Sequence, residues 1–266
     1  LYFNIIDRDK IFRTREPSVL ETCEFVCDVG GYYDPKRKLF DHHQASYQGR
    51  LSSAGMVLLY MKEKSIIPEG DFHLLNNSLV RGIDEHDNGF SQPKEGHVEF
   101  SLVVSNFIPI TYTFTEEEEE KAFNEALDFV LGHLDRLIKR YHIVLECKEE
   151  VKQAMDAGGD CLVFKKSLPW IENFFELDGE SHPAKFIIMP AGDLWKLRGI
   201  PPDFKNRMQV RKLLPSNWAG LLEANFQEVS GIEGAVFCHK ERFISMWKTF
   251  EGAKEALNYV LNYTEE

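Results

Sequence analysis

Apolar residues in the first half of the chain come in short runs, each closed by turn-forming residues. Ile11-Phe12-Arg13-Thr14-Arg15 stops before Glu16-Pro17, and Glu24-Phe25-Val26-Cys27-Asp28-Val29 stops at Gly30-Gly31. Each run predicts a buried strand ending in a turn. After Leu39-Phe40-Asp41 a polar stretch intervenes. Ser52 or Ser53 then caps a predicted helix through Met61. A second helix is predicted from Asp71 through Leu74, Leu75, Leu79 and Ile83. Strands alternating with helices point to an α/β layered domain built on a largely parallel sheet flanked by helices.

The pattern changes at Thr115, which precedes Glu116 to Glu120. A threonine cap and an acidic first turn suit the positive end of a helix dipole. Phe123, Leu127, Val130, Leu131, Leu134, Leu137 and Ile138 then recur at helical spacing. Beyond Gly158-Gly159 lie strand candidates Cys161–Phe164, Lys185–Met189, Leu194–Leu197 and Ala235–Cys238. Helices are predicted over Leu168–Phe175, Asn217–Asn225 and Thr249–Leu261. A boundary between Val144 and Gly158 divides the chain into 1–150 and a smaller α/β domain, 151–266.

Hydrophobic residues make up 43% and charged residues 28% of the 266, which suits a globular protein. No apolar run reaches the roughly 18 residues of a membrane helix, and the first residues show no signal-peptide pattern. An intracellular, cytoplasmic protein with no membrane partner is the expectation, with homo-oligomerisation left open. The five cysteines are odd in number, and Cys161 and Cys238 sit in apolar runs as small core residues. A net charge of −12 argues against broad adhesion to nucleic acid. A carboxylate-rich site can still act on phosphates when divalent ions occupy it.

The candidate chemistry lies in three segments. Asp28 ends an apolar strand just before Gly30-Gly31, at the sheet edge where ligands collect in open α/β folds. Asp41-His42-His43 follows, and carboxylates with neutral imidazoles suit manganese, iron or zinc. Side chains alternate along an extended segment, so one histidine would bind metal while the other faces a phosphate. Asp84 and Asp87, three apart, share a helix face before the Asn88-Gly89 turn. Alone, each segment also reads as a turn, a hydrated loop or a cap.

Asp28-Val29-Gly30-Gly31, Tyr33-Asp34-Pro35, Asp41-His42-His43-Gln44, Leu51-Ser52-Ser53-Ala54-Gly55 and Asp84 through Gly89 together resemble the DHH phosphoesterase superfamily. Leu168-Pro169-Trp170, Val229-Ser230-Gly231-Ile232, Phe237-Cys238-His239 and Lys248-Thr249-Phe250-Glu251-Gly252-Ala253 extend the resemblance over nearly the whole chain. The branch is the melanocyte-proliferating-gene (MYG) family, held to be metal-dependent exonucleases. The resemblance implies a DHH-type metal-binding domain followed by a substrate-binding domain. It implies that Asp28 and His42 bind metal, and that His43, beside Asp41, faces the scissile phosphate. Asp87 would be a further ligand, with Asp84 as second choice.

Two departures stand out. The superfamily's first motif, in this branch His-Asn-Gly-x-Phe-His-x-Asp-Asp, has no counterpart before Ile11. Leu1-Tyr2-Phe3 is similar to the end of the helix that follows it, and the expectation is a preceding native segment carrying the remaining ligands. Where the family more often has Gly-Gly-Asn, this chain has Ser245-Met246-Trp247 before Lys248.

In the second domain, His239 and Lys248 are candidate substrate residues. So are Arg207 and Arg211, from a basic segment that also holds Lys196, Arg198, Lys205 and Lys212. Trp170, Trp195 and Trp218 read as core anchors. The expected activity is phosphodiester hydrolysis with two divalent ions, manganese first and magnesium or another transition metal next. The expected substrate is RNA or a short oligonucleotide trimmed 3′ to 5′. The alternatives are a small-molecule phosphoesterase acting on pyrophosphate or a cyclic dinucleotide, and a non-catalytic binding protein retaining the fold.

Overall fold

The computed structural model describes residues 2–111 and 113–264; Leu1, part of the expected helix end, lies outside them. The chain divides into two compact units, Leu1–Tyr141 and His142–Glu266. The division falls upstream of the expected boundary because Cys147 and Val151, just after it, are buried in the second unit's core.

The first unit contains α1 (Pro17–Leu20), β1 (Val26–Cys27), β2 (Tyr33–Asp34), β3 (Leu39–Phe40) and α2 (Ser53–Glu63). Then come α3 (Glu69–Leu75), a π-helical stretch Asn76–Val80, α4 (Arg81–Asp87), α5 (Phe100–Ser105) and the long α6 (Glu116–Glu146), whose last five residues belong to the second unit. The α/β class is as expected, but the sheet is short and mixed rather than largely parallel. Its order is β1-β3-β2, with β1 parallel and β2 antiparallel to β3. The Asp34 turn (Lys36 N–H to Asp34 Oδ1, 3.0 Å) folds β2 straight back into β3, which only an antiparallel partner permits.

Ile11–Arg15 forms no strand. Phe12 is exposed, and Arg13 instead pairs with Glu119 of α6 at 2.8 Å. The core gathers Phe40, Met56, Leu58, Tyr60, Leu75, Val80 and Ile138. α6 begins with a reciprocal cap: the Glu118 N–H donates to Thr115 Oγ1 at 3.2 Å, and the Thr115 N–H to Glu118 Oε2 at 2.8 Å.

The second unit adds α7 (Lys148–Asp156), β4 (Cys161–Val163), α8 (Ile171–Glu176), β5 (Phe186–Ala191), β6 (Leu194–Gly199), α9 (Glu223–Ser230), β7 (Ala235–Cys238), β8 (Ile244–Trp247) and α10 (Phe250–Asn262). Its sheet has the order β4-β5-β6-β8-β7, parallel at β4–β5 and antiparallel elsewhere. One face packs Phe186, Ile188, Leu197 and Trp247 against Trp218, Phe226 and the α10 residues Ala253, Ala256 and Val260. On the other face Leu162, Ile187 and Met189 meet Val151 and Met155 of α7 and Phe174 of α8.

Trp170 and Trp218 are buried and Trp195 is partly so. The predicted Asn217–Asn225 helix is split, a 3-10 turn at Ser216–Trp218 preceding α9. Gly220, at φ +74°, interrupts it. Among the described residues, no helix is long and apolar enough to cross a membrane.

Candidate metal centre

Asp28 directly follows β1, and its backbone turns left-handed at φ +67°, a conformation aspartate tolerates better than most residues. Its N–H still donates to the Phe40 carbonyl at 3.0 Å, so the carboxylate stands beside the end of β3. The chain leaving β3 supplies Asp41, His42 and His43, and Asp87 closes α4.

Asp41 is buried at 2% exposure. Its Oδ2 accepts the Gly31 N–H at 2.6 Å, and its Oδ1 accepts the His43 N–H at 3.1 Å and meets the His43 ring Nδ1 at 2.6 Å. Burial by itself would push the Asp41 carboxyl up. The Gly31 and His43 contacts together outweigh it and hold the group below its ordinary value. The same pair raises the His43 imidazole: the hydrogen bond to Asp41 leads, burial opposes, and the charges of Asp41, Asp28 and Asp87 add to the rise.

His42 is held differently. Its side chain is 6% exposed, and Nε2 lies 3.0 Å from Asp87 Oδ2 and 3.6 Å from Asp28 Oδ1. Despite that proximity, Nε2 is buried without a hydrogen bond of proper geometry. The other ring nitrogen, Nδ1, faces Asn88 Oδ1 at 3.3 Å. Asn88 cannot turn its amide over, because Nδ2 donates to the Asp84 carbonyl at 2.9 Å and the Arg50 carbonyl at 3.3 Å. In the neutral ring Nδ1 therefore carries the proton, and Nε2 presents a lone pair to two carboxylates. That arrangement is repulsive without a cation and fits a metal ligand oriented by its second nitrogen.

Asp28, His42 and His43 offer ligand atoms within 4.8 Å of one another. The two imidazoles lie side by side with centroids 4.3 Å apart, rather than on opposite faces. The expected alternation fails because the chain leaves the regular strand at Phe40.

Asp84 stands apart from this group. Buried at 4%, its Oδ1 accepts the Ser52 N–H at 2.9 Å and the Ser52 hydroxyl at 2.7 Å. Ser52 holds the N-cap position of α2, yet its side chain makes no capping bond. The Asp84 carboxylate serves the helix start in its place. Burial pushes the Asp84 carboxyl up, against the bonds from Ser52 and Gly55. Gly55 is needed there, since a Cβ would collide with both carboxylate oxygens.

Of the candidate substrate residues, Arg211 is enclosed by main chain. It donates to the carbonyls of Pro201 (3.1 Å), His182 (2.5 Å), Ala184 (2.8 Å) and Gly179 (2.6 Å). Arg207 pairs with Glu172 at 3.1 Å and lies over the Phe204 ring. Lys248 is exposed, and the His239 ring sits 4.4 Å from that of Phe243. Sequence reasoning missed Asn88 and Gly55 as supports of the site. The Asn88-Gly89 turn signal and the Ser52-to-Gly55 run marked their positions but not their partners.

The MYG1 exonuclease family model, described as an "Uncharacterised protein family (UPF0160)", matches residues 3–259. The chain is 47% identical to the MYG1 protein of Chlamydia pneumoniae over 98% of its own length and 89% of that protein. It is 31% identical to the human MYG1 exonuclease, over 92% of this chain and 76% of that protein. The crystal structure of RecJ in complex with Mn2+ from Thermus thermophilus aligns with 94% of this chain and 46% of that chain. Its identity of 12% and TM-score of 0.30 are too low to carry an argument. On the family match and the two relatives, the chain belongs to the MYG1 exonuclease family.

Proposed function

We propose that the chain is a metal-dependent phosphodiester hydrolase that trims RNA or short oligonucleotides from the 3′ end. The carrying observation is the bare Nε2 of His42, set between the Asp28 and Asp87 carboxylates. Asp28, His42 and Asp87 would hold divalent metal, manganese first among the choices, with any second ion completed by ligands beyond these three. When bound, such ions lower the pKa of a coordinated water and neutralise charge on the phosphoryl oxygens.

The chain's own groups do the rest. Asn88 keeps the His42 proton on Nδ1, leaving Nε2 free to bind. Asp41 fixes the His43 ring and favours its protonated form. From the exposed side of the site, His43 donates to a phosphoryl oxygen as negative charge builds there. Asp84 holds the start of α2. The family name of the human relative, an exonuclease, supports the same reading.

The test is end-labelled single-stranded RNA incubated with the protein and manganese. A ladder shortening from the 3′ end, abolished by EDTA and by His42→Ala, is expected. Endonucleolytic cuts, or cleavage only of pyrophosphate and cyclic dinucleotides, would contradict it.

A further inference from the structure

The face of the second sheet that buries Leu162, Ile187 and Met189 against α7 and α8 continues beyond β5. Across the register, Met189 and Ile187 pair with Lys196 and Arg198 of β6, which pair with Met246 and Ile244 of β8. Met246 pairs with Phe237 of β7, and the His239 N–H donates to the Ile244 carbonyl at 3.0 Å. Direct cross-strand partners point to the same side of a sheet. Here the covering helices have ended, and Lys196, Arg198, Ile244, Met246, Phe237 and His239 are all only half-buried.

Two properties of this face point to a ligand. Its cations are not neutralised: among the described residues neither Lys196 nor Arg198 has a carboxylate partner, and Arg198 Nε is buried with no hydrogen bond. Burial lowers both groups, and the neighbouring charge each feels is another cation, Arg198 for Lys196 and Arg207 for Arg198. Such a pair in a chain of net charge −12 calls for an anion. Its rings are also contiguous. His239 lies 4.4 Å from Phe243 and 6.0 Å from Phe237 between centroids, and Arg198 Cζ is 5.9 Å from the Phe243 ring.

We propose that this face of β6, β8 and β7 is a platform for single-stranded oligonucleotide. Lys196 and Arg198 meet its phosphates, and Phe243, His239 and Phe237 lie under its bases. A sheet bearing rings and cations suits unstacked bases, whereas a duplex keeps its bases stacked on each other. The proposal rests on the reading of the chain as an oligonucleotide hydrolase and names where the strand is gripped.

The test is fluorescence anisotropy of the full chain with labelled single-stranded RNA in EDTA, over a salt series. Removing both cations as Lys196→Gln with Arg198→Gln should weaken binding and reduce the log–log salt slope by about 1.4, at roughly 0.7 per phosphate contact. Phe243→Leu should weaken binding about tenfold through lost stacking. An unchanged slope and affinity in the folded double variant would overturn the proposal. So would equal affinity for duplex RNA, or for an acidic peptide of matched charge.

Should the variants fail to fold, wild-type protein crosslinked to 4-thiouridine RNA supplies the answer. Adducts at Phe237, His239, Phe243 or Met246 support the platform, and adducts confined elsewhere overturn it. Retained RNA binding by wild-type protein that hydrolyses nothing would defeat the proposed activity and leave the platform standing.

Discussion

His42 Nε2 lies 3.0 Å from Asp87 Oδ2 without hydrogen-bonding to it, because its ring is turned by Asn88 to present a lone pair there. Asp87 and Asp84 stand one helical turn apart in α4 but do different work. Asp87→Asn should lose manganese affinity with little change in the unfolding midpoint of the metal-free protein. Asp84→Asn should lower that midpoint, because its amide N–H2 would face the Gly55 N–H, while the folded fraction still binds manganese. Calorimetric titration and denaturant unfolding on both variants check the pair. Equal losses of metal affinity would show that Asp84 is a ligand.

Asn88 makes no contact with the metal in this account, yet it sets the tautomer of His42. Asn88→Ala should weaken manganese binding by about 10- to 100-fold, the usual scale for removing such an orienting partner. Nitrogen-15 NMR of the metal-free protein should show the His42 proton shifting from Nδ1 toward a mixed tautomer. An unchanged tautomer in the variant would remove Asn88 from the site.

Gly55→Ala drives a Cβ into the Asp84 carboxylate. Overpacking of this kind costs about 1–3 kcal/mol, read from the urea midpoint. A neutral result would mean that the carboxylate yields and does not anchor α2.

The Asp41–His43 pair predicts a stability profile with two arms. His43 has its folded value raised above the ordinary 6.5, so its contribution is full below 6.5 and lost as pH rises through the raised value. Asp41 has its folded value lowered below 3.8, so its contribution is full above 3.8 and lost as pH falls through the lowered value. Denaturation of the metal-free protein should therefore show the pair's contribution greatest between those limits. Asp41→Asn should flatten both arms and bring the His43 titration down. A His43 titration unmoved by Asp41→Asn would contradict the pairing.

Local signals carried much of this structure in the sequence. The Thr115 cap with Glu118 placed the start of α6, and apolar periodicity placed its buried side. The helix after Ser52 was legible from its apolar spacing, although its start is held by Asp84, 32 positions away. The strand Ala235–Cys238 was legible from its own apolar run. β8 was not. Its inward positions hold both Ser245 and Trp247, each buried and joined by the Trp247 Nε1–H to Ser245 Oγ bond of 2.9 Å, so no clean apolar alternation marks it.

At the site, Asp28, His42 and Asp87 were legible as residue types and converge in space. The support of His42 by Asn88, 46 positions away, depends on how α4 meets the end of β3. Arg211 shows the reverse error. In sequence it is one cation of a basic segment, and folded it is caged by backbone carbonyls that no local pattern announces.

The proposed activity depends on His42 Nε2 being a metal ligand together with Asp28 and Asp87. Anomalous diffraction from crystals of the protein grown with manganese tests it most directly. A manganese peak is expected in coordinating contact with His42 Nε2 and with carboxylate oxygens of Asp28 and Asp87. A peak elsewhere, with His42 Nε2 instead donating a hydrogen bond to Asp87, would contradict it.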